Sequence, residues 1–226
     1  MNFLCHAIPY FDRPVVAVCT GIPDWLSVID RKIRARRPGA AAAAGSDDAV
    51  LRDAASGVLA HLDDDQWFHS TDVFTRLNLQ FAVTLRDHLS GDEGFRPSFV
   101  GHIIIEMLLD ASYVVHSPDL VDSYYNMVRH ADHESIQQAV NEITGKPTRA
   151  IAPTMRRFVE IGFLYDYSTD EGLLFRVNQV LRRVGLPPMG SPAVLDWVAE
   201  ARRQVIQNHT RLLSSSDGVM RYPELM

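Results

Sequence analysis

Residues 97–116, PSFVGHIIIEMLLDASYVVH, constrain the fold more than any other stretch of the chain. The segment opens on Pro97 and is apolar almost throughout, yet His102, Glu106 and Asp110 interrupt it at every fourth position. Its β-branched residues would suit a strand. Its length and the recurrence of polar residues every four positions instead predict a buried helix. In that helix the three ionisable groups stand at i, i+4 and i+8 and fall near one face, drifting by about 40° per step. Burying a charge without a partner costs several kcal/mol, so such groups are paired or coordinated to metal. A divalent ion would satisfy two carboxylates and an imidazole together. The alternatives are a stripe that faces solvent, or pairing with arginines such as Arg76 or Arg86.

The rest of the chain reads as helices joined by short loops. Residues 24–37 place Trp25, Val28, Ile29 and Ile33 at helical spacing and end on a basic run, which suits the negative end of a helix dipole. Pro38 and Gly39 are expected to stop that helix. The small residues 40–46 read as a loop. Asp47 or Asp48 is placed to cap a helix reaching about His61. Further helical patterns cover 68–90, 118–131, 133–144, 149–165, 170–185 and 192–213. No repeat and no sustained period-two alternation is visible. The expected fold is all-α, a single helical domain over residues 1–215 built as a bundle of about seven to nine helices, with 216–226 a loose tail.

Composition narrows the function classes. The chain has 226 residues, enough to bury a substantial core, and a formal charge of −6, which disfavours nucleic acid as a general partner. Mean hydropathy is near zero, no uninterrupted apolar run reaches spanning length, and the N-terminal residues lack the basic start of an export signal. No membrane association is expected. Cys5 and Cys19 read as reduced thiols, and the expected location is the cytoplasm.

Two further groups of residues could carry chemistry. His61, Asp65 and His69 repeat the i, i+4, i+8 spacing and would share a face if 61–69 were one helix. Asp63, Asp64 and Asp65 are poor mid-helix residues and good caps, so a break near Leu62 is the competing reading. His6 lies in the apolar stretch NFLCHAIPYF, and Asp24 stands where a helix begins. Each alone fits a structural role as well as a functional one. The chain contains no zinc-type cysteine cluster, no P-loop, no G-x-G-x-x-G and no G-x-S-x-G.

Four short stretches occur in an order that resembles a known family. They are MNFLCHA at the start, Gly21-Ile22-Pro23-Asp24-Trp25, GVLAHLDDDQW at 57–67 and EMLLD at 106–110. Together they are similar to the motifs of the acyl carrier protein phosphodiesterase family, helical metal-dependent hydrolases related to the HD-domain phosphohydrolases. The resemblance covers roughly the first 115 residues. The chain has Leu62 where the family has Arg and Ala111 where it usually has His, and His69 and His102 are additional. The resemblance implies an HD-domain-like bundle with a metal site assembled from His6, Asp24, His61, Asp65, Glu106 and Asp110. The reading from the residues adds His102 as a ligand, and Asp65 and His69 as candidate proton acceptors.

Mixed imidazole and carboxylate ligands suit Mn, Fe, Mg or Zn. The expected activity is hydrolysis of a phosphodiester, with Arg31, Lys32, Arg34 and Arg36 available to contact phosphate. The expected partner is a phosphorylated small molecule or a phosphopantetheinylated carrier protein. The rival readings are a non-enzymatic helical interaction protein and a di-iron-type helical oxidoreductase. The latter lacks its usual Glu-x-x-His pairs here.

Overall fold

The computed structural model describes residues 1–89, 94–214 and 222–225. Among them the chain forms twelve α-helices, two short 3-10 turns and no β-strand, as the all-α expectation requires. Contacts divide the chain into two compact units. One contains residues 3–66 and 119–162, the other residues 1–2, 67–118 and 163–226.

The first unit begins with α1 (Phe3–Ala7), a five-residue turn whose side chains are all buried. After a 3-10 turn come α2 (Pro14–Cys19), α3 (Ile22–Ile29), α4 (Arg37–Ala43) and most of α5 (Ala49–His69), followed by most of α8 (Pro118–His130), then α9 (His133–Thr144) and α10 (Ile151–Ile161). Phe158 of α10 anchors the core, with Phe3 at 5.1 Å and Trp25 at 5.7 Å between ring centroids. Tyr124 and Tyr125 pack on the same ring. Helices α2 and α5 meet backbone to backbone at Gly57, where a Cβ would lie 2.6 Å from the Val16 carbonyl oxygen.

Two expectations in this unit are corrected. The basic run does not continue α3, which ends at Ile29. Asp30 adopts an extended backbone and its carboxylate accepts the Lys32 amide at 2.8 Å, a local turn that competes with the helix. Pro38, expected to stop a helix, instead sits in the first turn of α4, where its missing N–H has no cost and its fixed φ suits the helix. Residues 40–43, expected as loop, are therefore helical.

Helix α5 is capped as expected, Asp48 Oδ1 accepting the amides of Val50 and Leu51 at 2.8 and 3.0 Å. It then runs unbroken past the three aspartates to His69. The break near Leu62 does not occur because these carboxylates find partners away from their own backbone. Asp63 pairs with Arg37 at 2.6 Å, and Asp64 and Asp65 face His6.

In the second unit α6 (Asp72–His88) and α7 (Pro97–His116) make the most extensive helix pair. They close tightly at Gly101, where a Cβ would lie 2.8 Å from Asn78 Oδ1 and 3.0 Å from the Asn78 carbonyl oxygen. Helix α12 (Pro192–Leu213) packs on both, and its Trp197 indole donates to Thr84 at 2.9 Å. Helix α11 (Asp170–Arg183) and a 3-10 turn complete the unit. The segment 97–116 is the helix expected, and although it is long and apolar enough to cross a membrane, 67% of that stretch is buried in the protein. Of the segment expected as a tail, Tyr222 is buried and the Pro223 carbonyl accepts the Tyr113 hydroxyl at 2.8 Å. Residues 216–221 and 226 lie outside the described residues.

Candidate metal centres

Among the described residues, two groups of three gather ligand atoms within 4.8 Å of one another, and each consists of two imidazoles and one carboxylate. The first, His6, His61 and Asp65, belongs to the first unit. The second, His69, His102 and Glu106, belongs to the second.

His6 is delivered by α1 and is fully buried. Its ring stacks on His61 with centroids 4.0 Å apart and planes 28° from parallel. His61 and Asp65, one turn apart on α5, approach to 3.4 Å between Nε2 and Oδ2. His6 Nε2 lies 3.2 Å from Asp65 Oδ1, and its Nδ1 lies 3.6 Å from Asp64 Oδ2. Neither ring nitrogen of His6 makes a hydrogen bond among the described residues. Burial pulls the His6 imidazole down, but the carboxylates of Asp64 and Asp65 outweigh it and raise the group to about 9. Burial acts upward on Asp65, and the His6 and His61 imidazoles overcome it, holding the carboxyl well below its usual range. The carboxylates thus favour positive charge at His6. His6 ion-pairs with both carboxylates, and a metal ion held among His6, His61 and Asp65 would take the place of its proton.

His61 also lines a cleft of about 550 Å³. Asp24, Ser27, Arg34, Arg36, Arg37 and Gln66 are among the other residues of its wall. Asp24 stands in the first turn of α3, a favourable place for a carboxylate, while Trp25 beside it points into the core. Arg34 and Arg36 come from the loop between α3 and α4, so the correction to the basic helix carries them into the cleft wall. Arg37 pairs with Asp63, whereas Arg34 and Arg36 make no ion pair among the described residues.

In the second group His69 Nε2 lies 2.7 Å and His102 Nε2 lies 3.1 Å from the same oxygen, Glu106 Oε1. The α-amino group of Met1 is 3.2 Å from that oxygen. Burial raises the Glu106 carboxyl, and the amino group and the two imidazoles reverse this and hold it well below its ordinary range. Phe74 braces both rings, its centroid 5.0 Å from that of His102 and 4.9 Å from that of His69.

The sequence-derived set is therefore divided. His6, His61 and Asp65 come together, and so do His69, His102 and Glu106. Asp24 lines the cleft beside His61. Asp110 is fully buried in α7 and belongs to neither trio. Asp64, which the sequence reading did not select, faces His6. Its signal was its place beside Asp65, itself a candidate site residue, in the run of three aspartates. Arg37, the last residue of the basic run, was not among the residues named to contact phosphate. No family model matches the chain, and neither a curated protein nor a solved structure is detectably similar to it.

Proposed function

We propose that the chain is a metal-dependent phosphohydrolase acting on a phosphodiester at the His6–His61–Asp65 centre. One observation carries this reading: His61, a member of the trio, lines the same cleft as Arg34, Arg36 and Arg37. Imidazole and carboxylate donors suit first-row transition metals, and two imidazoles in three donors favour Zn, Fe or Mn over Mg. When bound, such an ion supplies an activated water and offsets charge on the phosphoryl oxygens. The arginines bind those oxygens, with guanidinium geometry that matches them. Asp24, the carboxylate lining the cleft with His61, accepts the proton of the attacking water.

The reading agrees with the resemblance to the acyl carrier protein phosphodiesterase family and with an HD-domain-like arrangement. It makes a phosphorylated small molecule or a phosphopantetheinylated carrier protein the substrate class, and a cytoplasmic enzyme the setting. Two imidazoles and one carboxylate are also the donor set of non-haem iron oxygen chemistry, which keeps an oxidoreductase as the second reading.

The test is hydrolysis of bis(p-nitrophenyl) phosphate by protein reconstituted with Mn2+, Fe2+ or Zn2+. Metal-dependent turnover that His61→Ala abolishes is the expected result. Metal-replete protein without turnover on this or on a phosphopantetheinylated carrier would overturn the phosphohydrolase reading. Oxygen consumption by the iron form would then favour the second.

A further inference from the structure

We infer that His69, His102 and Glu106 form a metal site in their own right, which binds a divalent transition ion independently of the His6–His61–Asp65 centre. All three donors lie in the second unit, so the site is complete without a residue of the first.

The three groups hold one another, His69 hydrogen-bonded to Glu106, at distances that also suit ligands around a common point. Metal–nitrogen and metal–oxygen bonds of about 2.0–2.2 Å put neighbouring donors roughly 3 Å apart. The two Nε2 atoms stand 2.7 and 3.1 Å from Glu106 Oε1, and the His69 and His102 ring centroids are 4.3 Å apart. Both rings present the same nitrogen, Nε2, to the same oxygen. The scaffold holds them there. His102 and Glu106 are one turn apart on α7, Gly101 sets α7 hard against α6, and Phe74 of α6 meets His102 edge-on at 87°. Phe68 and Phe74 flank His69 at the end of α5.

Exposure indicates what kind of site this is. The side chains of His69, His102 and Glu106 are 28%, 35% and 17% exposed, so the donors are reached by solvent, with the Met1 amino group 3.2 Å from Glu106 Oε1 as a further neighbour. A structural zinc site closes its coordination shell with four protein ligands, whereas three ligands and an open side leave positions for water or an exchangeable anion. The class of ligand is a first-row transition ion carrying exchangeable water.

The full chain, stripped with a chelator and reconstituted separately with Zn2+ and Mn2+, would be assayed for bound metal by elemental analysis. The wild type is expected to hold two ions. Glu106→Gln and His102→Ala are each expected to lose one, while His61→Ala keeps the ion of this site. Should Glu106→Gln fail to show a helical circular dichroism spectrum, His102→Ala, at a partly exposed position, decides the matter. Glu106→Gln and His102→Ala both retaining the full wild-type complement would overturn the inference. A single wild-type ion lost with Glu106→Gln and kept in His61→Ala would support it, and would count against the proposed function instead.

Discussion

His6 lies fully buried against His61, the two rings 4.0 Å apart and close to parallel, with Asp65 within 3.4 Å of both. Two stacked imidazoles cannot both carry a proton at low cost, and on the proposed function one divalent ion takes the place of their protons. Chelation should therefore lower the melting temperature of the wild type. An ion held at a hundred to a thousand times its dissociation constant stabilises by about 3–4 kcal/mol. His61→Ala should lose that ion and most of the chelator response attributable to it. Differential scanning calorimetry with and without chelator makes the comparison. A response in His61→Ala equal to that of the wild type would sink the assignment.

Arg34 and Arg36 are exposed and make no ion pair among the described residues. Replacing either with Ala should leave stability within about 0.5 kcal/mol. On the proposed function each loss removes a charged contact to phosphate worth about 1.5–3 kcal/mol, so kcat/KM for a phosphodiester should fall roughly ten- to a hundredfold. Steady-state kinetics on folded variants would show it. Unchanged kinetics in the double variant would remove the arginines from the substrate site.

Gly57→Ala should destabilise the chain even though alanine is the better helix former by about 1 kcal/mol. Its Cβ would sit 2.6 Å from the Val16 carbonyl oxygen and 2.8 Å from Cys19, atoms of the α2 backbone and its first side-chain carbon. The expected net loss is about 1–3 kcal/mol by urea denaturation. A gain in stability would mean that α2 moves away freely.

His209 is buried against the edge of Tyr113, with ring centroids 5.2 Å apart. Burial, helped by the charge of His116, lowers its imidazole to about 4. A histidine depressed on folding stays neutral in the native state and protonates first in the unfolded chain. Its contribution is complete above the ordinary value of 6.5 and is lost as the pH falls through about 4. The loss across that window is about 3 kcal/mol. Stability curves between pH 7 and 4 should be flatter for His209→Phe than for the wild type. Parallel curves would show that the group titrates normally.

Much of the fold was legible because local signals agreed with tertiary demand. Pro97, Pro118 and Pro192 each begin the helix that the sequence assigns to them. The region between Ile29 and Ala49 was not legible, because one residue type carried two meanings. Pro38 is both a stop and a first-turn residue, and only the turn at Asp30 shows which applies. The site was half legible. The i, i+4 spacings were correct on α5 and α7, since a helix fixes them locally. Which stripe gathers which histidine depends on contacts between residues far apart in sequence. Thus His6 joined His61 across more than fifty positions, and Asp110 kept its register on α7 without joining either trio.

The close approach at Gly101 has a consequence for His102, its neighbour in the chain. Nothing larger than hydrogen fits on residue 101 while Asn78 keeps its place, and residue 101 immediately precedes His102. The Asn78 side chain can turn aside, but its carbonyl oxygen at 3.0 Å would still press α7 away by a few tenths of an ångström, the scale that metal–ligand distances tolerate. A position with no functional group is therefore under the same restriction as its ligand neighbour. On the inferred site the constrained unit is therefore Gly101-His102-x-x-x-Glu106, one residue longer than the pair of ligands it carries.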